Sequence, residues 1–489
     1  MTERMNQLKV EVSGLFGACK NTVEKLNLVD ALQHLGIDHH FEQPIAITMS
    51  SIHNAEFISS SLHEVALRFR LLRQHGFWVS ADEFSKFKDE GGRFVNDITN
   101  DPKGMLSLYN AANLLTHNEG QLEEALLFSR HHLEVMQCNI ESPLAEQVER
   151  ALKIPLQRTL KREEAIHYIP EYNLQDEMYN ATILELAKLD FNRLQRIHQK
   201  ELKAISMWWK NIFEDIKLDY ARDRIVECYF WAYASVCEEE YPCSRIVLAK
   251  LLMLTSVLDD TFDEHATMEE CRLLAKAIER WDETDVSLLP EYLQKFFLQI
   301  ISNFREFDKL LEPHEKYRSS YIRKVVNISV KSGGAELFAI GTLVDLGDIA
   351  TEEIFEWAIT NSDTVRACGE VSRFMDDMAD FKATVDDEIA IFMRGRNKAD
   401  VATTIECYMK ENNVTSEVAL AKIVSLVDDA WKTLNQELFS RHAPLKIVNI
   451  ITNFPRSMMF LYHDKRDGYT NSKEVKGALE SHFVKHIPM

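Results

Sequence analysis

Among 489 residues there are only 16 glycines and 11 prolines. Ordinary chains carry roughly 7% glycine and 5% proline, and here both fall below half of that. Strands need tight turns, and these two residues make most of them. The shortage therefore points to helices joined by short loops. Apolar spacing agrees. In Asn27–Phe41, residues Leu28, Val29, Leu32 and Leu35 fall at i, i+1, i+4 and i+7, and Gly36 stops the run. Ser61–Gly76 repeats the pattern with Leu62, Val65, Ala66 and Phe69, and again closes on glycine. Period-2 alternation of useful length, low-complexity tracts and fixed-period repeats are all missing. The expected fold class is all-α.

The length suits two or three domains, and 46% hydrophobic residues supply ample core. One boundary stands out. After His167–Tyr-Ile-Pro170 the polar stretch Glu171–Asn180 leads to a new apolar helix from Ile183. This predicts a helical domain over 1–178 and a second over 179–489. The first contains no acid cluster, His pair or glycine loop of evident chemical use, and every informative spacing lies after residue 200.

The net charge is −21. Such a surface repels a phosphate backbone, which excludes nucleic acid as a partner. The eight cysteines include no CxxC pair and fit a reducing compartment. Met1–Val10 is polar and mixed in charge, unlike a secretory signal or a transit peptide. No apolar run approaches the roughly 20 residues that cross a bilayer. The expectation is a cytoplasmic monomer that binds a small molecule and does not insert into membrane.

The strongest local feature is Ile246–His265. Ile246–Leu258 is apolar almost all round, as in a buried helix, and it runs into Asp259, Asp260, Thr261, Phe262 and Asp263. Asp259 and Asp263 stand one turn apart. Three carboxylates on a buried helix end are costly unless a cation compensates. Oxygen ligands at i and i+4 suit Mg²⁺, which keeps waters and substrate phosphates. An exposed helix end with acids in water is the bland alternative. A second cluster, Asp376, Asp377 and Asp380, repeats the i, i+1, i+4 spacing. One DDxxD string in an acidic protein says little, but two on helices could hold metal ions, and through them a diphosphate.

A diphosphate also needs fixed cations. Arg222 and Arg224 offer guanidinium forks matched to phosphate oxygens, and Arg373 precedes Asp376 by one turn. Trp231, seven residues after Arg224, and Tyr462 could stabilise a carbocation through their ring faces, although core packing explains such aromatics as well. His463-Asp464 resembles an HD metal pair, but is weak as a lone dipeptide. No Ser/His/Asp or Cys/His arrangement is needed for this chemistry.

With these residues in view, the chain resembles plant terpene synthases over nearly its whole length, and the cytosolic sesquiterpene synthases of grasses in particular. Asn27–Asp38 and Ser61–Leu72 through Gly76-Phe77-Trp78 look like the family's amino-terminal α-barrel. Arg222-Asp-Arg224, Asp259-Asp260-Thr-Phe-Asp263, Phe355-Glu356-Trp357 and Asp467-Gly468-Tyr469-Thr470 match its metal-binding α-bundle in order. The resemblance implies Mg²⁺ or Mn²⁺ at Asp259 and Asp263, with Asp260 in support, and at Asp376 and Asp380. It implies diphosphate contacts at Arg222, Arg224 and Arg373, and a substrate cavity touching Trp231, Tyr462 and Asp467. The implied activity is class I: ionisation and cyclisation of a prenyl diphosphate, farnesyl diphosphate first. A chain-elongating prenyl diphosphate synthase also uses paired aspartates, but lacks the extra amino-terminal domain. No DxDD string supports a class II cyclase.

Departures from the family pattern accompany the match. Met1 falls past an amino-terminal segment that helps cap the site in the family. The step from Tyr321–Val326 into Asn327–Gly334 looks short, as if part of a helix and its loop were missing. Asp345 stands near a helix break where the family has glycine. Asp380 replaces a hydroxyl residue in the second motif, Thr384 replaces its last carboxylate, and Val385–Arg396 reads like an insertion. The alternative to an active enzyme is thus a catalytically inactive homologue.

Overall fold

The structure is a computed structural model and describes residues 2–172, 179–329, 334–360, 362–386, 402–463 and 466–489. Among these the chain is helical throughout, and the sole pairing of extended backbone is an isolated bridge between Lys88 and Phe94. Among the described residues no helix is long and apolar enough to cross a membrane, and no disulfide joins the cysteines.

Two compact units emerge. The first comprises residues 1–196 with two returning segments, 431–441 and 480–489; the second comprises 197–430 and 442–479. Residues 173–178, at the expected junction, lie outside the described residues. The helix Ala181–Ile216 begins in the first unit and ends in the second.

In the first unit, the two runs with helical spacing form Thr22–His34 and Leu62–Gln74. Gly36 and Gly76 end them at φ 70° and 76°, a conformation that penalises other residues. Ser61 caps the second helix by accepting from the Glu64 N–H. Three arginines inside that helix are buried, and each has a carboxylate: Arg68 with Glu83, Arg70 with Asp30, Arg73 with Glu119. Such pairing offsets the cost of burying charge.

The second unit is built around Pro242–Asp260, buried along most of its length as its composition predicts. It packs against Ile225–Ser235 and Ala335–Leu343. Gly341 makes the latter contact possible, since a Cβ there would stand 2.8 Å from Leu248 Cδ1. Asp345 has a clear local role. Its carboxylate accepts from the Cys243 N–H at 3.0 Å, and its own N–H donates to Ser244 Oγ at 3.0 Å. It therefore caps the central helix from outside, satisfying an N–H that the helix itself cannot. The second acid motif lies on Asp363–Asp386, which packs on Ala335–Leu343 and on Asn453–Leu461.

Candidate active site

The central helix does not end as a plain α-helix. After Asp260 it continues for one π-helical turn, Thr261–His265, closed by the Ala266 N–H donating to the Thr261 carbonyl at 2.8 Å. Asp263 sits on that turn. The α-helical relation expected between Asp259 and Asp263 is corrected accordingly: an i to i+5 closure winds more residues into the turn and so changes the angle between successive side chains within it. Asp259 and Asp263 both reach solvent, whereas Asp260 is buried. Asp260 points elsewhere and is gripped by Arg222 alone three times, through the backbone N–H (2.7 Å), Nε (2.7 Å) and Nη2 (2.5 Å).

The second motif has the same division. Asp376 and Asp380 stand apart from Asp377, which is buried. Asp377 accepts from the Thr404 N–H at 2.9 Å and from the Thr404 hydroxyl, so it ties the start of Thr404–Asn412 to the acid helix. Arg373 lies 3.5 Å from Asp377 and 3.9 Å from Asp376, and is largely exposed.

The outer carboxylates are strained electrostatically. Desolvation, then Asp263 and Asp260, raise Asp259 to about 6. Desolvation and Asp380, with Asp467 also contributing, raise Asp376 to about 7. Asp380 is raised to about 6 by desolvation and then by Asp467 and Asp377. Asp263 is raised as well, chiefly by desolvation. The charges of the opposing cations are felt between the motifs. Arg373, on the second acid helix, lowers both Asp259 and Asp263; Arg222, beside the first, lowers Asp380. The two motifs are thus within electrostatic range of one another and together carry surplus negative charge and hard oxygen donors, a set that fits divalent cations. The donors are splayed, because no three of these oxygens lie within 4.8 Å of one another among the described residues. That leaves room for waters or phosphate oxygens between ions and protein.

Aromatic side chains gather beside Arg224 and the second motif. Trp231 stacks on Tyr469 with centroids 4.5 Å apart. Arg224 donates to the Thr470 carbonyl at 2.9 Å and lies over the Tyr469 ring at 5.7 Å. Arg224 is the non-helical cap of Ile225–Ser235, so it meets Trp231 through Tyr469 and not along one helical face, which corrects the simple seven-residue spacing. Tyr469 donates to Ser256 Oγ at 2.7 Å. Tyr462 is buried and its hydroxyl donates to Asp376, so it serves the acid motif with its oxygen. Asp467 accepts from the Tyr469 and Thr470 N–H groups at 3.0 and 2.8 Å. Gly468 lets this turn press on the preceding helix, as its Cβ would stand 2.7 Å from the Leu461 carbonyl oxygen.

Tyr469 was not among the candidate residues, although it stands in the Asp467–Thr470 string. The first unit also holds a His pair that the spacing argument passed over. His39 and His40 converge on one oxygen of buried Asp190, at 3.8 and 2.8 Å. Arg162 holds the other oxygen at 3.2 Å, which already balances that carboxylate. The side chain of Thr384, residues 387–396 of the insertion-like stretch, and Asp464 lie outside the described residues, as do 330–333.

Two family models match the chain. Residues 1–152 match the terpene synthase N-terminal domain, and residues 210–333 and 326–433 match the terpene synthase family metal-binding domain, in two pieces. The chain is 57% identical to a tau-cadinol synthase of Zea mays over 522 positions, covering 100% of this chain and 93% of that one. It is 53% identical to an alpha-copaene synthase of Zea mays, covering 100% and 95%. Among solved structures it resembles a limonene synthase with 2-fluorolinalyl diphosphate (TM-score 0.90, 27% identity, 100% and 95% covered). It also resembles the isoprene synthase of Populus x canescens in complex with three Mg²⁺ ions and dimethylallyl-S-thiolodiphosphate (TM-score 0.85, 28% identity, 99% and 97% covered).

Proposed function

The chain belongs to the terpene synthase family, and from that premise we propose that it is a Mg²⁺-dependent class I sesquiterpene synthase acting on farnesyl diphosphate. The observation that carries this reading is the cross-talk between the acid motifs: Arg373 on one acts on Asp259 and Asp263 of the other, while Arg222 acts on Asp380. The substrate choice is supported by the sesquiterpene-type names of the maize relatives. The cytoplasm is the matching compartment, and a fluorescent fusion tests it.

In this reading Asp259, Asp263, Asp376 and Asp380 hold the ions, which when bound supply Lewis-acid polarisation of the diphosphate. Mn²⁺ suits the same oxygen donors. Arg224 and Arg373 offer their guanidinium groups to the diphosphate as its C–O bond breaks and the electron pair stays on oxygen. Arg222 adds its charge while its tether to Asp260 keeps the segment 222–224 in place. The faces of Trp231 and Tyr469 stabilise the allylic cation that remains. The Tyr462 hydroxyl orients Asp376, and Asp467 orders the turn that carries Tyr469. Transfer of a proton from carbon to the released diphosphate neutralises the cation and completes the hydrocarbon product.

The test is incubation of the purified chain with farnesyl diphosphate and Mg²⁺, then analysis of volatiles. A sesquiterpene absent from the boiled control is the expected result, and no product rejects the activity. A second reading, a catalytically silent member, has its own observation. The metal-binding match is broken at 326–333, and 522 aligned positions against 489 residues leave at least 33 of the maize relative opposite gaps. If that reading holds, Mg²⁺ and pyrophosphate still raise the melting point while turnover is nil.

A further inference from the structure

The first acid motif depends on an unusual piece of backbone, and the structure surrounds that piece on both sides. The π-helical turn Thr261–His265 carries Asp263 at its middle and is closed by the Ala266 N–H on the Thr261 carbonyl. Such turns are rare and occur as single interruptions, frequently at functional sites. Something must keep this one from relaxing into α-helix, which would turn Asp263 away from its present direction.

Its far end is held by stacking. The His265 ring lies flat on Tyr220, with centroids 4.0 Å apart and planes 13° apart. On another side His265 meets Tyr292 edge-on, at 5.3 Å and 77°. Tyr220 also reaches the near end of the turn: its hydroxyl shares a 3.0 Å hydrogen bond with Thr261 Oγ1, which donates in turn to the Val257 carbonyl at 2.6 Å. One tyrosine therefore touches both ends of the turn, with Asp263 between them. Two residues after that tyrosine, Arg222 grips Asp260 just before the turn begins.

We propose that His265 is a positioning residue: stacked on Tyr220 and braced by Tyr292, it holds the π-helical turn in register so that Asp263 is presented beside Asp259. It acts through its ring and not through its charge, so an aromatic hydrocarbon in its place serves equally. The inference rests on the reading of Asp259 and Asp263 as the grip on a metal-bound diphosphate.

The test uses the full chain and calorimetric titration with MgCl₂ and inorganic pyrophosphate, which needs no turnover. His265→Ala is expected to weaken binding about threefold to tenfold, the range of one lost aromatic contact. His265→Phe is expected to restore affinity to within about twofold of the original. The metal-free melting point of both is expected to stay within about 2 °C. Unchanged affinity in His265→Ala overturns the inference while leaving the metal reading intact. Equal weakening in His265→Phe overturns the stacking account. A melting point lowered by more than about 5 °C in His265→Ala, a full kcal/mol of stability or more, overturns it in favour of a merely structural contact. If the unaltered chain binds no Mg²⁺ and pyrophosphate, the metal reading itself fails, and this inference falls with it.

Discussion

The two acid motifs share a spacing but are built on different backbone. Asp376, Asp377 and Asp380 lie within a continuous α-helix, Asp363–Asp386, whereas Asp259, Asp260 and Asp263 straddle the end of one helix and a π-helical turn. Both divide labour the same way. The middle acid is buried and anchors a neighbouring segment, Asp260 to Arg222 and Asp377 to Thr404. The outer acids reach solvent but are left crowded, and their proton affinity is raised. A DDxxD string is therefore two devices interleaved: a tether and a pair of ligands. The difference in backbone shows where each needs support. The mid-helix motif is held by its own helix, while the terminal one relies on Tyr220 and His265.

The comparison breaks most visibly in turnover. Asp259→Ala and Asp376→Ala are each expected to cut product formation on the order of a thousandfold or more, since several kcal/mol of charge stabilisation are lost. Neither should unfold the protein, because each removes crowded charge. Product analysis with circular dichroism checks both halves. Retained activity in either variant removes that carboxylate from the metal assignment.

Stability gives the next largest contrast. Asp260→Ala leaves Arg222 facing a vacated buried position, and Asp377→Ala strands the Thr404 donors. Each is expected to cost about 2 kcal/mol, read as a shift of the urea midpoint. Metal-free Asp376→Asn should move the other way. If middle and outer acids respond alike, the division of labour is wrong.

The pH response comes from the raised carboxyls. Asp259, Asp376 and Asp380 hold protons in the metal-free fold at about 6 to 7, above the unfolded value of about 3.9. Between about pH 4 and 7 the folded state therefore binds more protons than the unfolded chain. The stability these groups contribute is present below that window and lost as pH rises through it. Metal binding runs oppositely, since it needs them ionised. The thermal upshift given by Mg²⁺ and pyrophosphate should thus grow from about pH 5.5 to pH 8, as scanning fluorimetry would show. A flat response discards the crowding account. The smallest expected effect sharpens the central helix itself: Asp345→Ala should cost about 1 kcal/mol, the worth of a lost helix cap.

Much of this was legible from residue spacing. Gly36 and Gly76 mark helix ends because few other residues tolerate their φ. The apolar run Ile246–Leu258 marks the buried helix, and the two acid strings mark its end and its partner. The middle acids were readable too, because neighbours on a helix diverge by roughly 100° and cannot share a face. The π-helical turn was not readable. It changes which carbonyl an N–H meets, and side-chain types leave no trace of that. Tyr220, His265 and Tyr292 gave no pattern, since their stack depends on segments far apart in sequence. The pairing of His39 and His40 with Asp190 was hidden in the same way, by about 150 residues of chain.

The return of residues 431–441 and 480–489 to the first unit has a consequence for how the chain is made. Asn192 exchanges hydrogen bonds with the Ile487 backbone at 2.8 and 2.9 Å, and Gln195 donates to the His482 carbonyl at 3.0 Å. On a ribosome those partners are made only after residues 197–479. The unit that begins first is therefore completed only once the second has been synthesised, and no single proteolytic cut or exon-like swap can exchange either half cleanly.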